Sequence, residues 1–161
     1  MSGPDALSGQ THQYGDLEPG ELHAVVTRRL RHVGQRYTAQ RRALVDILAA
    51  APAPLTLPQL LERSVGLAQS SAYRNLAVLE RAGVAHRILT TSDHACWELS
   101  EDLTEHHHHL ICSSCGDVTD FTVPSDIEQG LDTALTAVAG DAGFSARHHR
   151  LDLVGLCARC Q

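Results

Sequence analysis

The chain has 161 residues, 43% of them hydrophobic, and a formal net charge of −6. That length allows one domain or two small ones, and the apolar fraction is sufficient for packed cores. No run of about 18 apolar residues occurs, which argues against a transmembrane helix, and the N-terminus lacks the basic start and apolar stretch of a signal peptide, so a cytoplasmic location is expected.

Residues 1–20, rich in Gly, Pro, Ser and Gln, read as a flexible arm. Over 21–33, Leu22, Val25, Val26, Arg29, Leu30 and Val33 share a helical face that Gly34 ends. Thr38 caps a second helix with the stripe Leu44, Ile47, Leu48 and Ala51, stopped by Ala-Pro-Ala-Pro at 51–54. Thr56 and Gln59 form a capping-box pattern for a short third helix ending at Gly66. Ser70 or Ser71 caps a fourth, with Ala72, Leu76 and Leu79 inward and Gly83 as its stop. Residues 84–89 and 95–99, separated by a polar turn, read as a β-hairpin with Trp97 packed beneath it. Helix, helix, recognition helix and two-stranded wing is the order of a winged helix-turn-helix, assigned to 21–100. Residues 101–161 alternate strand (107–111), strand (118–121), helix (125–139) and strand (147–156), with Ile127, Leu131, Leu135 and Val138 on one helix face. The fold class is α+β: a winged-helix domain followed by a small α/β domain.

All 13 basic residues are arginine, and their distribution is uneven. Ten lie in 21–90 against four carboxylates, whereas 91–161 holds three against twelve. A basic half can meet phosphates while an acidic, histidine-rich half attracts cations, the alternative being chance clustering on solvated faces. On the fourth helix Ser70, Ser71, Tyr73 and Arg74 are left facing outward, which are side chains suited to a major groove. Arg36, Arg41 and Arg42 are placed to reach flanking phosphates. A single arginine is ordinarily just solvated; their co-location carries the DNA reading.

Cys112, Cys115, Cys157 and Cys160 form two Cys-x-x-Cys pairs, and four consecutive histidines, His106 to His109, lead into the first. Paired thiolates at this spacing suit tetrahedral zinc, with two disulfides as the alternative. In a strand, His107 and His109 share one face and His106 and His108 the other, so the run serves two sites. His86 and Glu98 stand in opposite arms of the hairpin and can converge. Cys96 is either a spare thiolate or a small buried apolar residue. His148 is read as exposed, and His12, His23 and His32, which belong to no motif, as surface residues.

Ser71-Ala-Tyr-Arg-Asn-Leu, Ala-Gly at 82–83, the hairpin, HHHHLICSSCG (106–116) and HRLDLVGLCARC (149–160) together resemble the ferric uptake regulator superfamily over about residues 22–160. The resemblance implies a homodimeric, metal-dependent repressor that binds a double-stranded DNA operator and has no small-molecule substrate. It implies structural zinc on Cys112, Cys115, Cys157 and Cys160, and a dimerisation-domain site of His106, His108, Glu128 and His149. It also implies a sensing site of His107, His109 and Asp120 with Glu98 and His86, and DNA contacts from Tyr73 and Arg74. Ser125-x-x-Glu128 is itself a capping-box pattern, which gives Glu128 a second explanation. The chain departs from iron- and peroxide-type members in having Ala53, Pro54 and Leu55 where a histidine is usual, and from zinc-type members in Ser100. The regulatory ion is read as Zn²⁺, with Fe²⁺, Mn²⁺ or Ni²⁺ as alternatives. A metal-storage or metallochaperone protein would leave the arginine-rich half unexplained. A zinc enzyme would need an open coordination position, which four thiolates deny.

Overall fold

The computed structural model describes residues 18–90 and 95–161. Most of the expected arm, with His12, and most of the expected hairpin turn lie outside the described residues. The end of that arm is helical, since α1 spans Pro19–His32. Proline is tolerated in a first turn because its missing N–H would have had no helical partner. α2 (Ala39–Ala49) is capped by the Thr38 hydroxyl, which accepts from the Arg41 N–H at 3.4 Å. In α3 (Leu57–Arg63), Gln59 Oε1 accepts from the Thr56 N–H at 2.8 Å, closing the expected box from its side. α4 (Gln69–Arg81) departs from expectation. Its preceding residue is Ala68 and no side chain caps it, so Ser70 and Ser71 lie inside the first turn. Gly83 ends α4 at φ 65°, a left-handed conformation natural to glycine.

The first sheet contains a strand too short for any periodicity to reveal. β1 (Leu55–Thr56) pairs with β3 (Ala95–Leu99), which also pairs with β2 (Ala85–Leu89), all antiparallel. Leu22, Val26 and Leu30 of α1, Leu44 and Leu48 of α2 and Ala72, Leu76 and Leu79 of α4 bury against Trp97 and Leu99 in one core. His23 corrects its surface assignment: its Nδ1 lies 2.8 Å from the Tyr37 hydroxyl and its Nε2 3.1 Å from Asp46.

A 3₁₀ turn, Glu101–Leu103, leads into the second half. Arg29 of α1 donates to the Gly83 carbonyl and to the Asp102 carboxylate, tying the helical half to that turn. The second sheet has the order β5 (Val118–Phe121), β4 (His108–Cys112), β6 (Asp152–Gly155), with β4 antiparallel to β5 and parallel to β6. A parallel pair needs a crossover, and α5 (Ser125–Asp141) lies in it. β6 is shorter than the expected 147–156, because His149 and Arg150 turn away to side-chain partners. The expected apolar face of α5 exists but is not covered within the chain: Ile127, Leu135 and Val138 are exposed.

Candidate metal centres

The cysteine pairs close the open ends of β4 and β6. Cys112 ends β4, the Gly116 N–H returns to the Cys112 carbonyl at 2.9 Å, and the Cys160 N–H returns to Cys157 at 2.9 Å. These two tight turns bring all four sulfurs together, with every pair of ligand atoms within 4.8 Å. Cys115 Sγ and Cys157 Sγ are 3.8 Å apart, and neither is in a disulfide. A disulfide would hold them at about 2.05 Å. Four sulfurs at ~2.3 Å from a tetrahedral ion would be ~3.8 Å apart, so the spacing fits zinc. The Cys112 thiol is drawn down to about 6 chiefly by backbone N–H groups at Cys115 and Cys157. Cys160 is pushed up to about 11: a Ser114 hydrogen bond lowers it, but the crowd of neighbouring sulfurs prevails. Four thiolates cannot share this space without a cation to offset them.

The histidine run divides as strand alternation requires, although β4 begins only at His108. On one side, His107 Nε2 and His109 Nε2 donate to the same Glu98 oxygen at 3.1 and 3.0 Å. Asp120 approaches both rings at 3.9 and 3.8 Å from across the β4–β5 ladder. Burial pushes the Glu98 carboxyl up, but hydrogen bonds and charge from His107 and His109 outweigh it and bring it to about 2. His107 is raised to about 9, mainly by its hydrogen bond to Glu98. Burial raises Asp120, whose Oδ1 has no hydrogen-bond partner.

On the other side, Glu128 reaches from α5 toward three rings. Its oxygens lie 3.0 Å from His106 Nε2, 2.9 Å from His108 Nε2 and 2.9 Å from His149 Nε2. His106 Nε2, His149 Nε2 and Glu128 Oε1 are buried and close, yet none makes an aligned hydrogen bond. Lone pairs that converge on a common point instead of on each other are the arrangement a cation requires. Ser125 is the first helical residue and Pro124 precedes the helix, so the capping-box alternative for Glu128 is not realised.

The far nitrogens of four of these five rings face outer acceptors, whereas His108 Nδ1 is buried without a partner. His109 Nδ1 donates to Asp152 at 3.2 Å, His107 Nδ1 to the Glu105 carbonyl at 2.8 Å and His106 Nδ1 to Glu101, while His149 Nδ1 lies 2.9 Å from an Asp132 oxygen. Outer acceptors of this kind set ring orientation and strengthen the inner nitrogen as a ligand. Asp152, Asp132 and Glu101 were not anticipated. Asp132 could have been, since it lies one helical turn beyond Glu128; Glu101 leaves no such trace. His86 is not brought into the cluster of Glu98, His107, His109 and Asp120. Its Nε2 instead accepts from Arg150. Cys96 is buried against Ile88, Ile111 and Val118, and burial pushes its thiol up to about 11, so it behaves as an apolar residue.

In the basic half, Tyr73 is 49% exposed and its ring meets Trp97 edge-on at 6.0 Å, while the Arg87 guanidinium lies over Trp97 at 5.8 Å. Arg74 lies exposed along α4, donating to the Ser70 carbonyl and Ser71 hydroxyl at 3.3 Å each. Arg36 is exposed. Arg41 is half-buried and spent internally, on Asn75 at 3.1 Å, Gln35 at 3.1 Å and the Arg36 carbonyl at 2.5 Å. Among the described residues no helix is long and apolar enough to cross a membrane.

Residues 32–154 match the model of the ferric uptake regulator family. The chain is 31% identical to the peroxide operon regulator of Bacillus subtilis over 135 residues, 81% of this chain and 88% of that protein. It is 33% identical to the ferric uptake regulation protein of Bordetella parapertussis over 137 residues, 82% of this chain and 94% of that one. The ferric uptake regulator of Helicobacter pylori shares the fold, with a TM-score of 0.68 at 20% identity, over 89% of this chain and 94% of that one. The chain belongs to the ferric uptake regulator family, whose members are metal-responsive transcriptional regulators that bind DNA as dimers.

Proposed function

We propose that this protein is a homodimeric repressor with structural zinc on Cys112, Cys115, Cys157 and Cys160 and a regulatory ion on Glu98, His107, His109 and Asp120. A further exchangeable site comprises His106, His108, Glu128 and His149. The reading is carried by one observation: His106, His107, His109 and His149 each turn Nε2 toward a carboxylate cluster and Nδ1 toward an outer acceptor. Glu98 belongs to the wing strand β3, His109 to β4 and His107 to the residue just before it, so an ion held between them would fix the angle of the DNA-binding half. Coupling then requires only that the closed arrangement bind the ion more tightly. Ser70, Ser71, Tyr73 and Arg74 would read the operator, with Arg36 on its backbone and Arg41 bracing that surface.

The regulatory ion is Zn²⁺ in this reading, because Ala53, Pro54 and Leu55 offer no further ligand and four ligands suit tetrahedral zinc. A second reading, response to iron or peroxide, is favoured by the names of the two relatives. The test is operator affinity during titration with Zn²⁺, Fe²⁺, Mn²⁺ and Ni²⁺, for the wild type beside His107→Ala and His106→Ala. Activation by Zn²⁺ that His107→Ala abolishes and His106→Ala only tunes supports the assignment. Activation by Fe²⁺ alone selects the second reading, and loss only in His106→Ala exchanges the two sites.

A further inference from the structure

His86 and the cluster beside it are neighbours that do not meet. His86 stands directly across from Glu98 in the β2–β3 register, and residues opposed in this way share a face of the sheet. A guanidinium accounts for the separation. Arg150 donates through one nitrogen to His86 Nε2 and through another to the two Asp152 oxygens at 3.4 and 3.1 Å. Guanidinium has donors only and stays charged, so His86 Nε2 must be the acceptor. The lone pair committed to Arg150 is the one a cation would use. Asp152 anchors the guanidinium, and the same Asp152 oxygen holds His109 Nδ1 at 3.2 Å. The arginine is therefore built into the ligand framework.

We propose that Arg150 is a specificity-determining residue of the interdomain site: by occupying His86 it limits the site to Glu98, His107, His109 and Asp120. This rests on the assignment of those four residues as the regulatory site. Four ligands, two nitrogen and two oxygen, suit a tetrahedral ion, whereas Ni²⁺ prefers six ligands and accepts imidazole readily. Removing the guanidinium frees an imidazole across the ladder from Glu98, adding a third nitrogen and raising the coordination number.

The test uses full-length protein with zinc already in the four-cysteine site, titrated with Co²⁺ and, separately, with Ni²⁺ against Zn²⁺. In Arg150→Ala the visible Co²⁺ bands of four-coordinate intensity weaken toward those of higher coordination. The Ni²⁺ affinity rises relative to Zn²⁺ by roughly tenfold, the scale on which outer partners tune such sites. Both changes disappear in the double variant His86→Ala/Arg150→Ala. An unchanged spectrum and unchanged Ni²⁺ preference in Arg150→Ala, or changes that persist in the double variant, overturn the role of Arg150 alone. If His107→Ala takes up as much Co²⁺ as the wild type, the four-residue assignment fails and the proposal falls with it.

Discussion

His107 has an acceptor at both ring nitrogens, the Glu105 carbonyl and Glu98, so both nitrogens are protonated and the ring is held as an imidazolium with a pKa of about 9. An ion arriving at Nε2 must displace one of those protons. Because the folded pKa lies above the ordinary value, the stability His107 contributes in metal-depleted protein is complete below pH ~6.5 and is lost as pH rises through about 9. Glu98, held near 2, has the opposite sign: its contribution is present above ~4.5 and is lost only as pH falls toward 2. Metal affinity at this site should therefore keep rising with pH to about 9, by roughly tenfold per pH unit for each proton released, where an unperturbed imidazole would level off near 6.5. Calorimetry in buffers of differing ionisation enthalpy counts the protons. Zero release at pH 7.5 would show that His107 Nε2 is not a ligand.

At the scale of elements, α4 carries the contrast between contact and support. Arg74→Ala should weaken operator binding by about 1–3 kcal/mol in an electrophoretic mobility shift, with the melting temperature unchanged. Arg41→Ala removes three internal hydrogen bonds from a half-buried guanidinium and should lower stability by roughly 1–2 kcal/mol in denaturant titration. Equal loss of stability in both variants would dissolve the distinction. The periodicity that predicted α1, α2 and α4 also predicted what they bury, because each turns one apolar stripe to a core within the chain. The same rule found the α5 stripe but not its cover, since periodicity reports a face and not what lies against it. Strand alternation separated the histidines correctly, because period two survives a shift of one residue in where β4 begins. Arg150 and Asp152 were illegible as partners: Arg150 reaches His86 of β2 only once the halves have met, and Asp152 reaches His109 only once β6 has paired with β4.

Across the molecule, the two halves differ in how they are held. Nearly all fully buried large side chains belong to the helical half, while Ile127, Leu135, Val138, Phe144, Leu153 and Val154 of the second half remain exposed. So many exposed large apolar side chains call for a partner, and a second copy of the chain supplies it in the proposed dimer. Val138→Asp should accordingly yield monomer in analytical ultracentrifugation, and an undisturbed dimer would place the interface elsewhere. With so little buried apolar area of its own, the second sheet depends on the cysteine closure in a way that can be stated as chain statistics. Cys115 and Cys157 are 42 residues apart, so an ion joining them removes the freedom of the loop between them from the unfolded ensemble. For a cross-link of that span the loss is worth about 4 kcal/mol, comparable to the whole stability of a marginal domain. Zinc bound there also stabilises by mass action, so the order of α5 and its strands becomes a function of zinc concentration. A newly made chain in zinc-poor surroundings would thus have a folded DNA-binding half attached to an unfinished one, and the supply of one ion would govern how much regulator exists before any question of what it senses.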